Sequence, residues 1–246
     1  MCSICGDDKH VPPLSRRAFL TAGAAVALAS SGVGTALAAD QPKPGAAPPP
    51  NAIPPADALK RLLDGNARYV ANTLRERDYS AGRAARVQAQ YPIAAILSCA
   101  DSRVAPELAF DEGPGELFVV RVAGNFMTQD LLASLEYGVQ ILGVPLIMVL
   151  GHTKCGAVDA AIKVLKTNAA LPGHLPELVA AIKPAVIVAE RTQKGDLLEN
   201  AIAENVRRQV ARLKTAPPVV QKFYAGKKID IVGGVYDLAT GKVALV

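Results

Sequence analysis

Two short segments that each follow an apolar run constrain the fold of this chain most strongly. Cys99 follows the run at residues 93–97, and His152 and Cys155 follow a second run at residues 146–150. Both runs have the length and composition of buried strands. Because parallel strands of an α/β sheet bring their carboxyl ends to one edge, we expect the two thiols and the imidazole to meet there. The sequence therefore predicts a metal site at adjoining strand ends.

The order of apolar and amphipathic segments indicates one α/β domain over residues 56–246. The predicted strands cover residues 93–97, 117–122, 145–151, 229–236 and 243–246. Predicted helices cover residues 55–70, 83–90, 130–142, 157–165 and 197–213, and residues 171–191 are predicted to be helical with breaks at Pro172, Pro176 and Pro184. Strand, helix and strand in this order form a parallel βαβ unit. The predicted architecture is a mainly parallel β-sheet flanked by helices.

The first 38 residues have the anatomy of an export signal. Arg16 and Arg17 precede an apolar stretch rich in Ala, Gly, Val and Leu, which ends in small residues at 36–38. This order predicts a twin-arginine (Tat) signal, cleaved after Ala38, that engages the Tat export machinery and delivers the protein to the periplasm or the outside. A retained membrane anchor is the alternative. Residues 39–55 follow, and their prolines, seven in all, predict an extended linker that supplies no core.

The charge pattern argues against a nucleic-acid partner. The net charge is +5, but 27 basic residues are scattered among 22 acidic ones, and the chain has no Trp to stack on bases. A solvated surface of mixed charge is the better interpretation.

Ligand chemistry favours zinc at the predicted site. Two thiolates and an imidazole suit Zn²⁺, and three protein ligands leave a fourth position for water, substrate or the Asp101 carboxylate. Arg103 lies two residues after Asp101. Such a pair is commonly a surface ion pair, but beside zinc the guanidinium would hold the carboxylate off the metal and keep it ionised. A disulfide between Cys99 and Cys155 is the alternative to ligation.

Three motifs carry a resemblance to a known family. Residues 98–104 read Ser-Cys-Ala-Asp-Ser-Arg-Val, residues 151–156 read Gly-His-Thr-Lys-Cys-Gly, and residues 114–119 read Pro-Gly-Glu-Leu-Phe-Val and lead to Arg121 and Asn125. With these motifs the chain resembles the β-class carbonic anhydrases over residues 56–246. The resemblance implies that family's single α/β domain.

The resemblance also implies a function. It implies a zinc enzyme, with one Zn²⁺ per chain, that interconverts carbon dioxide and bicarbonate through a zinc-bound hydroxide. Cys99, His152 and Cys155 match the family's zinc ligands, and Asp101 and Arg103 match its catalytic dyad. In the closed form of some members, the residue that Asp101 matches takes the fourth zinc position, so Asp101 is also a candidate metal ligand.

Two further positions bear on substrate and regulation. Gln90 matches a glutamine that donates to a substrate oxygen, and in the family this residue comes from the adjoining subunit. The resemblance therefore implies a homodimer or a larger homo-oligomer. Members with an allosteric bicarbonate pocket carry a Trp where this chain has Ile96.

Two other functions remain open from the sequence. The same zinc chemistry would hydrolyse a carbon dioxide analogue such as carbon disulfide or carbonyl sulfide. Alternatively, the two thiols would serve an exported zinc-binding or redox protein that is not an enzyme. The last hypothesis predicts no need for Asp101 or Arg103.

Overall fold

A computed structural model describes residues 47–191 and 195–246, all of which belong to one compact unit, Pro42–Val246. The predicted Tat signal, its cleavage site after Ala38 and residues 39–46 of the predicted linker lie outside the described residues. Within the described part of the chain, no helix is both long and apolar enough to cross a membrane.

A five-stranded sheet of order β2-β1-β3-β4-β5 organises the domain. Its strands are β1 (Ala94–Ser98), β2 (Leu117–Arg121), β3 (Leu146–His152), β4 (Asp230–Tyr236) and β5 (Val243–Leu245). The pairings of β1 with β2, β1 with β3 and β3 with β4 are parallel, and only β5 pairs antiparallel, with β4. The predicted mainly parallel sheet is confirmed.

Helices flank the sheet on both faces. The described residues form α1 (Pro55–Val70), α2 (Arg83–Gln88), α3 (Pro106–Ala109), α4 (Gln129–Gln140), α5 (Gly156–Thr167), α6 (Leu175–Glu190), α7 (Leu197–Lys214) and α8 (Val219–Ala225). The short helices α3 and α8 were not predicted, since each is too brief to show a helical period.

The two central strands are buried on both faces. Every residue of β1 and of β3 is buried. Ile96 and Met148 pack with α1 in one core cluster, whereas Leu97 and Val149 pack in another with residues of α4, α7 and α8. Because successive side chains of a strand point to opposite faces, continuous apolar runs serve both clusters at once. The sites that follow these strands are therefore held by the most buried part of the domain.

The predicted break at Pro184 is wrong. Helix α6 continues through this proline, and Pro176 lies in its first turn, where a missing backbone N–H costs nothing. A proline inside a helix costs roughly 3 kcal/mol. The fully buried Ile182, Ala185 and Val186 on the same helix supply packing that outweighs this cost.

The end of the predicted linker contributes to the domain. Asn51 is buried, and its side-chain amide donates to the backbone oxygens of Leu142, at 2.7 Å, and Pro92, at 3.2 Å. Ile53 packs against the core cluster that contains Ile96. The prediction that residues 39–55 supply no core is therefore wrong for the residues nearest α1.

Candidate metal centre

Cys99, His152 and Cys155 meet at the carboxyl edge of the sheet. Cys99 follows β1 directly, His152 ends the neighbouring strand β3, and Cys155 is the residue before α5. Their ligand atoms all lie within 4.8 Å of one another, and all three residues are buried. The parallel pairing of β1 and β3 brings the two motifs together, as the sequence predicted.

The imidazole of His152 presents a free ring nitrogen. Nδ1 lies 2.9 Å from the backbone oxygen of Thr153, and because a carbonyl oxygen only accepts, Nδ1 is the donor. The proton-free nitrogen is then Nε2, which is buried and has no hydrogen-bond partner among the described residues, as is also true of Asn125 Nδ2. A buried acceptor without a partner is costly unless it binds something. The ring has the tautomer that a metal ligand requires.

The two thiols are free, and each shifts the pKa of the other. Both are free cysteines, so the alternative disulfide is not formed. A hydrogen bond from Cys155 lowers the pKa of Cys99, and the same bond together with burial raises the pKa of Cys155. The backbone amide of Gly124 also donates to Cys99 Sγ, at 3.2 Å. One sulfur is therefore prepared as a thiolate, the form that binds metal.

Asp101 lies beside the centre and is held by Arg103. Arg103 Nε donates to Asp101 Oδ1 at 2.9 Å, and Nη2 donates to Oδ2 at 2.7 Å. These bonds hold the pKa of Asp101 well below its usual range. Asp101 Oδ2 lies 3.7 Å from His152 Nε2, and the Asp101 side chain is 17% exposed. An ionised carboxylate therefore lies next to Cys99, His152 and Cys155, which we call the ligand group, and it is partly accessible to solvent.

Gln90 does not join this group within the chain. It is exposed, it precedes β1, and it lines a cavity of about 410 Å³ together with Arg77, Tyr91 and Glu116. Cys99 lies beyond the other end of β1, and a strand of this length spans roughly 16 Å. The structure therefore keeps Gln90 away from the ligand group of its own protomer.

Arg121 has a contact role that sequence reasoning did not assign. From the end of β2, its Nε donates to Cys99 O at 3.0 Å, and its Nη2 donates to Asp101 O at 2.7 Å and to Val104 O at 2.8 Å. One guanidinium thus binds three carbonyls of the segment that carries Cys99 and Asp101. An Arg at the end of an apolar strand was the available signal, but the carbonyls that it binds could not be deduced from spacing.

The donor set fits zinc. Two sulfurs and one imidazole nitrogen are ligands typical of Zn²⁺, and three protein ligands at strand ends are typical of a catalytic rather than a structural site. The fold and the site together define a zinc enzyme of the α/β class.

Comparisons with known proteins agree with this assignment. The family model described as carbonic anhydrase matches residues 94–243. The chain is 40% identical over 192 residues to a carbonic anhydrase of Mycolicibacterium smegmatis, covering 78% of this chain and 93% of that protein. It is 39% identical to carbonic anhydrase 2 of Mycobacterium tuberculosis, covering 78% and 92%.

Solved structures give the class. The β-carbonic anhydrase CcaA has a TM-score of 0.59 and 29% identity, covering 76% of this chain and 94% of that one. The Coccomyxa β-carbonic anhydrase, solved in complex with acetazolamide, has a TM-score of 0.61 and 28% identity, covering 76% and 86%. The chain belongs to the carbonic anhydrase family, in its β class. The predicted fold, enzyme class and zinc cofactor are confirmed.

Proposed function

We propose that this chain catalyses the reversible hydration of carbon dioxide to bicarbonate and a proton, with Cys99, His152 and Cys155 holding one zinc ion. The observation that carries the proposal is the buried Nε2 of His152, which lacks a hydrogen-bond partner in the described part of the chain and lies beside two free thiols. When bound, zinc lowers the pKa of a coordinated water to about 7 and so supplies a hydroxide nucleophile at neutral pH.

In this proposal Asp101 accepts the proton that the reaction releases. Arg103 binds both of its oxygens, which keeps the carboxylate ionised and away from the zinc position. The Asp101 side chain is partly exposed, so it exchanges the proton with buffer. Released by Arg103, the same carboxylate would become a fourth ligand and close the site, and Asp101 is therefore also a potential metal ligand.

We also propose that the working form is a homodimer or a larger homo-oligomer. The support comes from Gln90, which is exposed at the amino end of β1 while the ligand group lies at the carboxyl end. A second copy of the chain would bring this amide to the site, where it would donate to a substrate oxygen. Each site would then be completed by two protomers.

Export through the twin-arginine pathway is part of the proposal. Its support is the order of Arg16, Arg17, an apolar stretch and the small residues before position 39. A Tat substrate crosses the membrane folded, so zinc would bind reduced thiols before the protein meets an oxidising compartment. The proposed location is periplasmic or extracellular, after cleavage behind Ala38.

The decisive experiment is stopped-flow hydration of carbon dioxide by the zinc-loaded full chain. We expect hydration well above the buffer rate, lost with a chelator and restored by zinc. His152→Ala should lose both zinc and activity, whereas His174→Ala, which alters a side chain that is 95% exposed, should keep both. A zinc-loaded parent that does not hydrate carbon dioxide would contradict the function. Faster release of hydrogen sulfide from carbonyl sulfide would favour the analogue hydrolase instead.

A further inference from the structure

We propose that Asn205 and Gln209 of α7 are positioning residues for the metal centre, and that they act by holding the Gly124 amide against the Cys99 sulfur. The inference rests on the proposed assignment of Cys99 as a zinc ligand. It adds two residues that lie about one hundred positions further along the chain than that ligand.

A buried chain of hydrogen bonds leads from α7 to the loop after β2. Asn205 Nδ2 donates to Gly124 O at 2.8 Å, and Met127 N donates to Gln209 Oε1 at 3.1 Å. Gln209 Nε2 lies 3.4 Å from Asn205 Oδ1 and joins the two. Asn205 is 1% exposed and Gln209 is fully buried. The two side chains therefore hold the loop at two points, three residues apart.

Gly124 is the point at which this loop meets the metal centre. Its amide donates to Cys99 Sγ while its carbonyl accepts from Asn205. Its φ is +81°, a left-handed conformation that favours glycine, and a Cβ there would lie 2.5 Å from Ile182 Cδ1. The residue is therefore closely confined between α6 and the site. Losing the Asn205 contact would remove the side-chain hydrogen bond that restrains the carbonyl of Gly124.

An N–H bond to a metal-binding sulfur has two physical effects. It lowers the energy of the sulfur lone pairs, and it fixes the direction in which the remaining lone pairs point. Loss of such an outer contact typically weakens metal binding on the order of 10- to 100-fold. The alternative is that Asn205 and Gln209 only satisfy loop groups and stabilise the fold, as buried amides commonly do.

Asn66 of α1 provides a matched control for these effects. It is also buried, its Nδ2 donates to Gly241 O at 2.8 Å, and its Oδ1 accepts from Val243 N at 2.8 Å. Asn66→Ala therefore removes the same kind of contacts from a helix that packs elsewhere. Comparison with Asn205→Ala separates general destabilisation from an effect on the sulfur.

The experiment replaces zinc by cobalt(II) in the full chain and records the thiolate-to-cobalt charge-transfer band, together with zinc affinity by chelator competition. We expect Asn205→Ala, and the volume-conserving Gln209→Met, to shift the band to longer wavelength and to weaken zinc binding on the order of 10- to 100-fold. Asn66→Ala should lower the unfolding midpoint but leave both readouts unchanged.

The outcomes separate this inference from the proposed function. If both α7 variants keep the parental band and affinity, the positioning role is wrong while the zinc site stands. If Asn66→Ala moves both readouts as far as Asn205→Ala does, the effect is general destabilisation and the inference is overturned. A parent without a sulfur-to-cobalt band would overturn the assignment of Cys99 and this inference with it.

Discussion

Asp101 Oδ2 lies 3.7 Å from His152 Nε2, and both carboxylate oxygens of Asp101 accept hydrogen bonds from Arg103. Two ligands of one tetrahedral zinc, each roughly 2.0 Å from the metal, lie about 3.3 Å apart. The carboxylate is therefore only a few tenths of an ångström further from the imidazole nitrogen than a fellow ligand would be. In the proposed mechanism, the hydrogen bonds from Arg103 decide whether Asp101 accepts a proton or binds the metal.

Arg103→Ala should lower kcat for carbon dioxide hydration by about 100-fold or more, the usual size of a lost acid–base contribution. Without its partner the carboxylate is free to move the short distance to the metal. Zinc content should stay near one per chain. Arg207→Ala is the control, because Arg207 is 53% exposed, close to the 56% of Arg103, and among the described residues its ion pair is with Glu204. Parental turnover in Arg103→Ala would remove the dyad from the mechanism.

Asp101→Ala should retain zinc through the remaining three ligands but lose about 100-fold in turnover at neutral pH in dilute buffer. Raising the concentration of a small buffer base should restore part of the rate, because the buffer then accepts the proton directly. Stopped-flow rates across a buffer series test this, with Asp159→Ala on the surface of α5 as control. A loss that does not respond to buffer would show that Asp101 is not the proton acceptor.

Arg121→Leu should lower the free energy of unfolding by about 1 kcal/mol, since its three carbonyl contacts are partly exposed. The larger effect should be on kcat, because the segment that carries Cys99 and Asp101 loses the hydrogen bonds that hold it in place. Arg121→Lys should not restore the rate, as an ammonium lacks the fork that reaches several carbonyls at once. Urea unfolding and stopped-flow assays on both variants decide the matter, and a fully active Arg121→Lys would contradict the bracing role.

The ligand group could be predicted because its signals are local. Each ligand follows an apolar run that forms a central, fully buried strand, and parallel pairing then leaves one place for the strand ends to meet. The types of donor atom, two sulfurs and one imidazole nitrogen, then indicate zinc. Predicting these three residues therefore requires no knowledge of long-range side-chain contacts.

The supports of the site could not be predicted because they come from distant segments. Asn205 and Gln209 lie on a helix whose apolar period predicts only that it packs, not that two amides on its buried face bind a loop. Pro184 shows the same limit, since local preference predicts a helix break and the packing of Ile182 and Val186 outweighs it. Long-range packing decided both cases.

A second charged cluster, away from the metal centre, surrounds Asp111. The Asp111 side chain is fully buried, with Arg68 Nε at 2.6 Å and Arg77 Nη1 at 2.5 Å from its oxygens. Burial raises the pKa of Asp111, but the hydrogen bonds from Arg68 and Arg77 outweigh burial and lower the pKa to about 2. This cluster could not be predicted from the sequence, because its members come from α1, the following loop and the segment after α3.

Asp111→Asn should lower the free energy of unfolding at neutral pH by about 2 kcal/mol. The folded pKa lies below the ordinary value of 3.8, so the ionised carboxylate stabilises the fold above that pH, and its contribution is lost as the pH falls toward 2. Asn is the apt replacement, because residue 111 has a φ of +48°, which Asn tolerates. Urea unfolding between pH 7 and pH 2 should show the parent and the variant converging below about pH 4. Asp64→Asn, in an exposed pair with Lys60, should cost less than about 1 kcal/mol at every pH. A constant gap between the parent and Asp111→Asn over the whole range would mean that the carboxylate's charge does not stabilise the domain.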